Sequence, residues 1–423
     1  MLNRLHQSPR TMQAALGAVS LGLRLASLGG KLVLSLYMGK VFALSELGLY
    51  GLAFGAVMLA IVFLGFRIDY VVSREIAGFG PERQQKVGAA AAMLFLLCFV
   101  AAAPLAVTSL WFAGVEASAG FIALLLLLCG VEAYANYLYT VTIALGRPAL
   151  ANALFFIRSG LWTVPAMAVS WFEPAYRTVE FVLICWLVGV SLSVFLNVIV
   201  LRGQIVGPWR RGGFDWEEIR HATSAGIMIW IGSVAVTLGG YADRYVLAGA
   251  LSLDEVGVAT FYASFTAAVL TLVQSATTNI TLPAVIAHHD ADRRAEFAAE
   301  MRRTERAAAS VCLAVIILLA GVMWPVAGWL GKPELIAAFP FFLLLLAATF
   351  IRTQAETLYT GLFVIRAHRA IWTGNLLYLG VSLALNFLLI PPLGLTGLGL
   401  AAIGSALILA GWRWAGLRLG RGA

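Results

Sequence analysis

The sequence predicts an all-α polytopic membrane protein with twelve transmembrane helices, arranged as two pseudo-symmetric six-helix lobes around a central cavity. Three observations lead to this fold class: the composition, a series of long apolar segments, and an internal repeat. The chain has 423 residues, of which 61% are hydrophobic and 12% are charged, whereas soluble domains carry about 25% charged residues. Its mean hydropathy is +0.90. This composition excludes a soluble globular protein.

Apolar segments long enough to cross a bilayer, which takes about 20 residues, recur along the whole chain. Almost no sequence remains for a soluble domain. We therefore predict an N-terminal lobe over residues 1–201, a cytoplasmic interlobe linker over 202–220 and a C-terminal lobe over 221–423. The predicted spans lie near residues 14–42, 48–76, 87–114, 119–145, 149–170, 178–201, 221–250, 256–287, 304–330, 335–365, 370–391 and 395–417.

The connections between spans alternate between basic and nearly neutral. Of the 29 lysine and arginine residues, 20 fall on one side, including Arg413, and two, Arg177 and Lys332, fall on the other. The positive-inside rule then places both termini in the cytoplasm, and it explains the net charge of +8 without nucleic acid. All outer connections are short, which argues against a membrane glycosyltransferase or polymerase. We predict no enzymatic activity.

Two short stretches recur in the same order in both halves of the chain. The segment from Ala43 to Leu49, ALSELGL, returns as ALSLDEVGV from Ala250. ANYLYT from Ala135 returns as AETLYT from Ala355, 220 residues later. Both matches preserve helix orientation, so we expect lobes related by a pseudo-two-fold axis along the membrane normal. Substrate sites in such transporters lie between the repeats near the midplane.

Two cations lie inside the first predicted span, which contains no acidic residue. Arg24 and Lys31 are seven residues apart, so they share one helix face, about 10 Å apart along the axis. A charged side chain at mid-membrane costs about 2.5–3.5 kcal/mol on insertion scales, so this face must meet water or a partner charge. We interpret it as the cationic wall of a cavity for an anionic substrate. For Arg24, a structural pair with Glu132 or Asp243 is the alternative.

Further charges within spans are candidates for the same cavity. Arg158 lies in the middle of the fifth span and Arg352 lies in the tenth. Glu356 follows Arg352 by four residues, so an ion pair between them and substrate contact are both open. The repeat aligns Glu132 with Arg352. Opposite charges at equivalent positions would pair across the cavity, as a gate or as a structural tie.

The remaining charges near spans have less defined roles. Asp243 and Arg244 are adjacent and therefore point in different directions, so cavity lining and interlobe packing are equally open. Arg67 and Asp69 are interpreted as interfacial, and Lys40 is expected to snorkel towards the outer surface. The predicted substrate-binding residues are Arg24, Lys31, Arg158, Arg352 and Arg244, and the predicted gating or ion-pair residues are Glu132, Asp243 and Glu356.

Signatures of metal, disulfide and nucleotide sites are missing from the sequence. The cysteines occur singly within apolar runs, and the sequence His288-His289-Asp290 has no third partner at helical spacing. No GxxxxGK[ST] motif is found, so ATP is not the direct energy source. We predict no catalytic residue, no metal and no cofactor. Coupling to sodium, to protons or to the membrane potential is left open.

Three stretches resemble a known family. DRYVLAGALS from Asp243, followed by Glu255-Val256-Gly257, is similar to the seventh-to-eighth helix signature of polysaccharide-transport flippases. LNFLLIPPLGLTG from Leu385 is similar to the junction before their last helix, and LSELGLYGLA from Leu44 also fits. These Wzx-like O-antigen flippases belong to the multidrug/oligosaccharidyl-lipid/polysaccharide (MOP) exporter superfamily, whose fold is two six-helix bundles around a central cavity.

The resemblance implies movement of an undecaprenyl-diphosphate-linked oligosaccharide from the cytoplasmic to the outer leaflet of the bacterial inner membrane. It implies as partners the lipid-linked substrate, membrane lipids and polysaccharide-assembly proteins, with no nucleic acid. The length does not accommodate the two further helices usual in lipid II flippases, which favours the O-antigen, capsule or exopolysaccharide branch. The alternatives are a cation-coupled multidrug exporter of the same superfamily and a membrane glycosyltransferase or polymerase.

Overall fold

The computed structural model describes residues 9–65, 99–100, 118–202 and 216–420, which form helices joined by short turns, without a β-strand in these ranges. A single helical turn, Pro333–Ala337, precedes the ninth long helix. The predicted all-α fold class is confirmed. We label the long helices α1 (Pro9–Val41), α2 (Leu44–Gly65), α3 (Ala119–Ala144), α4 (Pro148–Phe172), α5 (Val179–Val200), α6 (Trp216–Ala250), α7 (Leu253–Asp290), α8 (Arg294–Leu330), α9 (Phe339–Val364) and α10 (His368–Gly420).

Eleven of the twelve predicted spans coincide with these helices, because α10 contains the last two. In the described parts of the chain, eight helices are long and apolar enough to cross a membrane. The third predicted span, 87–114, lies outside the described residues except for 99–100. The end of the second span, residues 203–215 of the predicted linker, Arg67 and Asp69 also lie outside them.

Several helices begin earlier than predicted. The helix α8 starts at Arg294, ten residues before the predicted span, and α1 and α6 each start five residues early, at Pro9 and Trp216. The early part of α8 is rich in alanine, arginine and glutamate, which favour a helix. Four arginines assigned to a cytoplasmic loop therefore lie on a helix: Arg294, Arg302, Arg303 and Arg306.

The exposed faces of α5 and α8 consist of large apolar side chains at helical spacing. Exposed aliphatic surfaces of this extent suit contact with lipid and would be unusual in water. Three exposed tryptophans, Trp171, Trp324 and Trp329, lie near helix ends, where aromatic residues meet the membrane interface. The faces are formed by Ile184, Val188, Leu192, Phe195 and Ile199 on α5, and by Leu313, Ile317, Leu318 and Val322 on α8.

A sharp kink divides α10 into the two predicted spans. Gly394 has φ +58° and ψ −134°, a conformation that favours glycine. Close packing follows at Gly397, where a Cβ atom would lie 2.0 Å from the carbonyl oxygen of Leu389. The predicted break at residues 391–394 is therefore a tight, exposed bend between two helical segments.

The turns that follow α3 and α9 have the same geometry. After α3, Gly146 has φ +76° and donates its N–H to Ile143. After α9, Arg366 has φ +56° and donates its N–H to Phe363. In each turn, the next residue donates to a carbonyl five positions back. The two turns are 220 residues apart, the offset found in the sequence, which extends the repeat from α3 and α9 into the helices that follow them.

The chain forms two compact units. The first contains residues 1–37, 56–110 and 116–230, and the second contains residues 38–55, 111–115 and 231–423. Packing in the first unit includes the stacked indole rings of Trp162 and Trp186, with centroids 5.5 Å apart. In the second, Tyr262 stacks on Phe342 with centroids 4.6 Å apart. The predicted lobe boundary at 202–220 stays a prediction.

Candidate functional site

Neutral side chains in the first unit hold Arg24. Its Nε donates to Oδ1 of Asn152 at 3.0 Å, and its Nη2 donates to the hydroxyl of Tyr139. The Tyr139 hydroxyl also donates to Asn152 Oδ1, at 3.3 Å. Neither partner carries a charge, and Arg24 is exposed. The arrangement orients the guanidinium while leaving its positive charge unneutralised by these contacts.

The depth of Arg24 differs from the sequence-based expectation. Seventeen residues separate it from the end of α1 at Val41, which is about 26 Å of helix. Its partner Asn152 lies only four residues after the start of α4. Because the hydrocarbon core is about 30 Å thick, Arg24 lies near the edge of the predicted span that is opposite to Val41. Lys31, ten residues from the same end, is the cation at mid-depth.

A buried ion pair lies next to Lys31. The Nε of Arg158 on α4 is 2.8 Å from Oε1 of Glu132 on α3, and both side chains are less than one-tenth exposed. Lys31 is half-buried and lies within electrostatic range of both groups. Of the three, only Glu132 is acidic, so this group of side chains keeps a net positive charge. Glu132 binds Arg158 rather than Arg24, so one of the two alternative partners expected for Arg24 is already engaged.

The local structure around Arg158 is a π-helical turn, Ile157–Leu161. Single π turns inside α-helices often occur at functional sites. Here the turn brings Gly160 against α1, where a Cβ atom would lie 2.9 Å from Cα of Ser27. Close contact between α1 and α4 at this point places Lys31 beside the ion pair.

A second charged cluster lies in the second unit, where the end of α10 packs on the later half of α9. Glu356 Oε1 lies 2.9 Å from Arg352 Nε, and the same oxygen lies 3.1 Å from Arg413 Nη1. The Arg352 guanidinium also lies over the ring of Tyr378, 4.6 Å from its centroid. Pairing between Arg352 and Glu356, one of the two alternatives for these residues, is therefore present in the structure.

Arg413 was counted among the cations of the cytoplasmic side, at the end of the predicted span 395–417, and the structure shows that it is buried. Its side chain is among the most buried in the described chain, at 1% exposure. Besides Glu356, it donates to the carbonyl of Ala355 at 3.0 Å and to Asn375 Oδ1 at 3.1 Å. The reason is that Arg413 lies on the face of α10 that packs on α9. Nothing in its sequence neighbourhood signals this.

Glu132 and Arg352 were expected to pair as equivalent opposite charges. Each instead has a partner nearby in its own unit: Glu132 binds Arg158, and Arg352 binds Glu356. Arg158 and Tyr378 are also 220 residues apart, so they occupy equivalent positions of the repeat, as Glu132 and Arg352 do. The same two positions therefore carry an acid–arginine pair in one half and an arginine–tyrosine contact in the other. Gating roles for Glu132, Glu356 and Asp243 stay predictions.

Arg244 is engaged by backbone groups. Its Nη1 donates to the carbonyl of Gly51 at 3.0 Å, and the neighbouring Tyr245 donates its hydroxyl to the carbonyl of Leu52 at 3.0 Å. Asp243 accepts the backbone N–H of Arg244 at 2.8 Å. These bonds tie α6 to α2 and match the packing alternative for Arg244. Substrate contact by this residue stays a prediction.

No protein-family profile and no curated protein sequence matches the chain. Solved structures do resemble it. A multidrug resistance MATE family transporter of the MOP superfamily has a TM-score of 0.68 at 15% identity, covering 96% of this chain and 97% of that one. The lipid II flippase MurJ has a TM-score of 0.75 at 11% identity, covering 96% and 87%.

A third structure, the MATE transporter VcmN of Vibrio cholerae, has a TM-score of 0.58 at 17% identity and covers 98% of this chain and 99% of its own. At such low identities, structural likeness establishes the fold and nothing finer. The chain has the all-α, multi-pass membrane fold of MOP superfamily transporters.

Proposed function

We propose that this protein is a flippase that moves an undecaprenyl-diphosphate-linked oligosaccharide from the cytoplasmic to the outer leaflet by alternating access. The glycan would be a unit of O-antigen, capsule or exopolysaccharide. The protein would lie in the bacterial cytoplasmic membrane with both termini inside. The fold shared with MOP transporters, among them a lipid II flippase, supports transport. The substrate class is argued from charge.

The proposal rests on the surroundings of the Arg24 side chain, which is exposed and has only neutral partners among its hydrogen bonds. Its guanidinium is exposed on α1, the helix of the first predicted span, and is oriented by Asn152 and Tyr139, which leave its charge in place. A guanidinium presents donors that match phosphate oxygens in a bidentate manner. A lipid-linked diphosphate supplies about two negative charges, which suits a fixed and uncompensated cation.

The positions of the cations suggest a route. Arg24 lies near the inner edge of the span, where the headgroup of an inner-leaflet lipid would be found. Lys31 lies about 10 Å further along the same helix face. We expect the diphosphate to bind first at Arg24 and then to pass to Lys31, with Glu132 and Arg158 holding the surroundings of Lys31 in place.

The membrane potential would favour this direction of movement. A cytoplasm-negative potential drives negative charge outward by about 2.3 kcal/mol per charge per 100 mV. Two headgroup charges would therefore provide a substantial driving force without ATP. Sodium or proton coupling would add to this, and neither is needed for the charge argument.

The second candidate function is a multidrug exporter, which the structural likeness to MATE transporters favours. Cationic drugs need carboxylates that are available to them. In the described spans, Glu132 and Glu356 are held by arginines, and Asp243 accepts a backbone N–H. The balance of charge therefore favours an anionic substrate.

A vesicle assay tests the proposal. The full chain would be reconstituted with a fluorescent undecaprenyl-diphosphate monosaccharide, and loss of fluorescence to an external reductant would report the leaflet. We expect protein-dependent flipping, slowed roughly tenfold to a hundredfold in Arg24→Ala, as for loss of one charge-assisted contact.

Three controls separate the outcomes. Arg24→Lys retains the charge and should keep part of the activity, whereas Arg147→Ala removes an exposed arginine at the start of α4 and should be neutral. A fluorescent neutral lipid should not be flipped. Undiminished flipping by Arg24→Ala would remove Arg24 from the site, and transport of a cationic dye in place of the diphosphate would support the exporter.

A further inference from the structure

Two lysines cross-connect the ends of α1 and α8. Lys40 donates to the carbonyl of Trp329 and lies 4.8 Å from the centroid of the Trp329 ring. Lys332 donates to the carbonyl of Phe42. Lys40 and Trp329 lie in the last turns of α1 and α8, and Phe42 and Lys332 follow those helices. The end of α1 therefore binds an ammonium group from the turn after α8, and the end of α8 binds one from α1.

The location explains why ammonium groups suit these positions. The last carbonyls of an α-helix have no partner within the helix, and the C-terminal end carries partial negative charge. A lysine satisfies both the hydrogen bond and the charge. Because the exchange is reciprocal, losing either bond removes a hydrogen-bond donor from a terminal carbonyl of the opposite helix.

A second reciprocal contact joins α2 to α7. A Cβ atom on Gly48 would lie 2.1 Å from the carbonyl oxygen of Leu253, and one on Gly257 would lie 2.0 Å from that of Leu44. Each glycine therefore meets the backbone at the start of the other helix. The two glycines occupy the same place in the internal repeat, so the contact has the form of a local two-fold interface.

All four connections lie within the second unit and share one feature. They join residues 38–55, which come from the N-terminal half of the sequence, to helices of the C-terminal half. They also lie at the helix ends that the charge pattern assigns to the outer side. Any motion that separates these ends of α1 and α2 from α7 and α8 must break them.

We propose that Lys40, Lys332, Gly48 and Gly257 form an outer latch, which holds the transporter closed towards the outer side and opens once in each transport cycle. The contacts suit repeated opening. Lys40 is exposed, so water can replace it at the Trp329 carbonyl. The glycine surfaces carry no side chain that would interlock across the contact.

Reactivity of a buried cysteine tests the latch. Leu47 lies beside Gly48 and is fully buried. With the native cysteines replaced, Leu47→Cys would be labelled from outside by a membrane-impermeant maleimide in proteoliposomes of the full chain. We expect slow labelling, accelerated roughly three- to tenfold by Lys40→Gln with Lys332→Gln, as for loss of one cation from each helix end.

Matched variants exclude trivial explanations. Arg418→Gln removes a cation that lies 3.7 Å from the centroid of the Trp414 ring at a helix end outside the latch, and it should leave labelling unchanged. Val182→Cys, fully buried in the first unit, should stay unreactive in the lysine variant unless the protein unfolds. Unchanged labelling of Leu47→Cys in a folded double variant would overturn the latch. The measurement needs no substrate, so its failure would leave the proposed flippase function untouched.

Discussion

Arg413 and Glu356 join the end of α10 to α9 through a contact of 3.1 Å between Nη1 and Oε1. The Nε of Arg352 lies 2.9 Å from the same carboxylate oxygen. One carboxylate therefore pairs with two arginine side chains, so the three residues together keep a net positive charge. This sharing makes the three residues unequal in their importance for stability.

Glu356→Gln should destabilise the protein more than Arg413→Met. Loss of the carboxylate leaves two arginines without their anion, and removing one partner of a buried pair costs about 3–5 kcal/mol. Loss of Arg413 leaves Glu356 paired with Arg352. Unfolding in mixed detergent micelles, monitored by circular dichroism, would measure both. Glu296→Gln, at an exposed ion pair on α8, is the matched control and should change little. Equal stability of Glu356→Gln and wild type would contradict the assignment.

Glu132 and Arg158 should be coupled energetically, whereas Glu132 and Arg352 should not. In a double-mutant cycle of Glu132→Gln and Arg158→Met, the paired groups should give an interaction energy of about 1–3 kcal/mol. A cycle of Glu132→Gln and Arg352→Met should be additive within about 0.5 kcal/mol, because each residue has another partner. Folding free energies in micelles provide the data. Coupling in the second cycle and its absence in the first would restore the pairing expected from the repeat.

Gly257→Ala should disrupt the contact between α2 and α7, since the new Cβ atom would lie 2.0 Å from a carbonyl oxygen. The backbone of Leu44 cannot move aside as a flexible side chain can, so α2 and α7 should separate at this contact. We therefore expect faster labelling of Leu47→Cys and slower transport. Gly321→Ala on α8 is the matched substitution, because open space surrounds that position. Alanine there should stabilise the helix by about 0.5–1 kcal/mol. Identical labelling in the two variants would contradict the close contact.

The spans could be predicted because apolar length is a property of sequence alone. Even the bend at Gly394 was signalled, since two prolines precede it and interrupt the apolar run. The exact ends of the helices could be predicted less well from the sequence. Residues such as Arg294 and Arg302 continue α8 beyond the membrane because their helix propensity is high, and hydropathy does not register that propensity.

The partners of the charges could not be predicted, because they depend on contacts between helices. Arg24 was correctly seen as unusual, yet Asn152 and Tyr139 are neutral residues with no pattern that marks them. Arg413 was counted among the cations of the cytoplasmic side because it lies near the end of an apolar run. Only the packing of α10 against α9 distinguishes a buried arginine from a solvated one at that position.

Two of the three ion pairs within the described spans connect residues that are near one another in sequence. Glu132 and Arg158 belong to consecutive helices joined by a short turn, and Arg352 and Glu356 are one helical turn apart. During synthesis on the ribosome, such a hairpin can enter the bilayer with its opposite charges already matched. Membrane insertion of each half would then be independent of the other, and the two halves expressed as separate polypeptides would be expected to insert on their own.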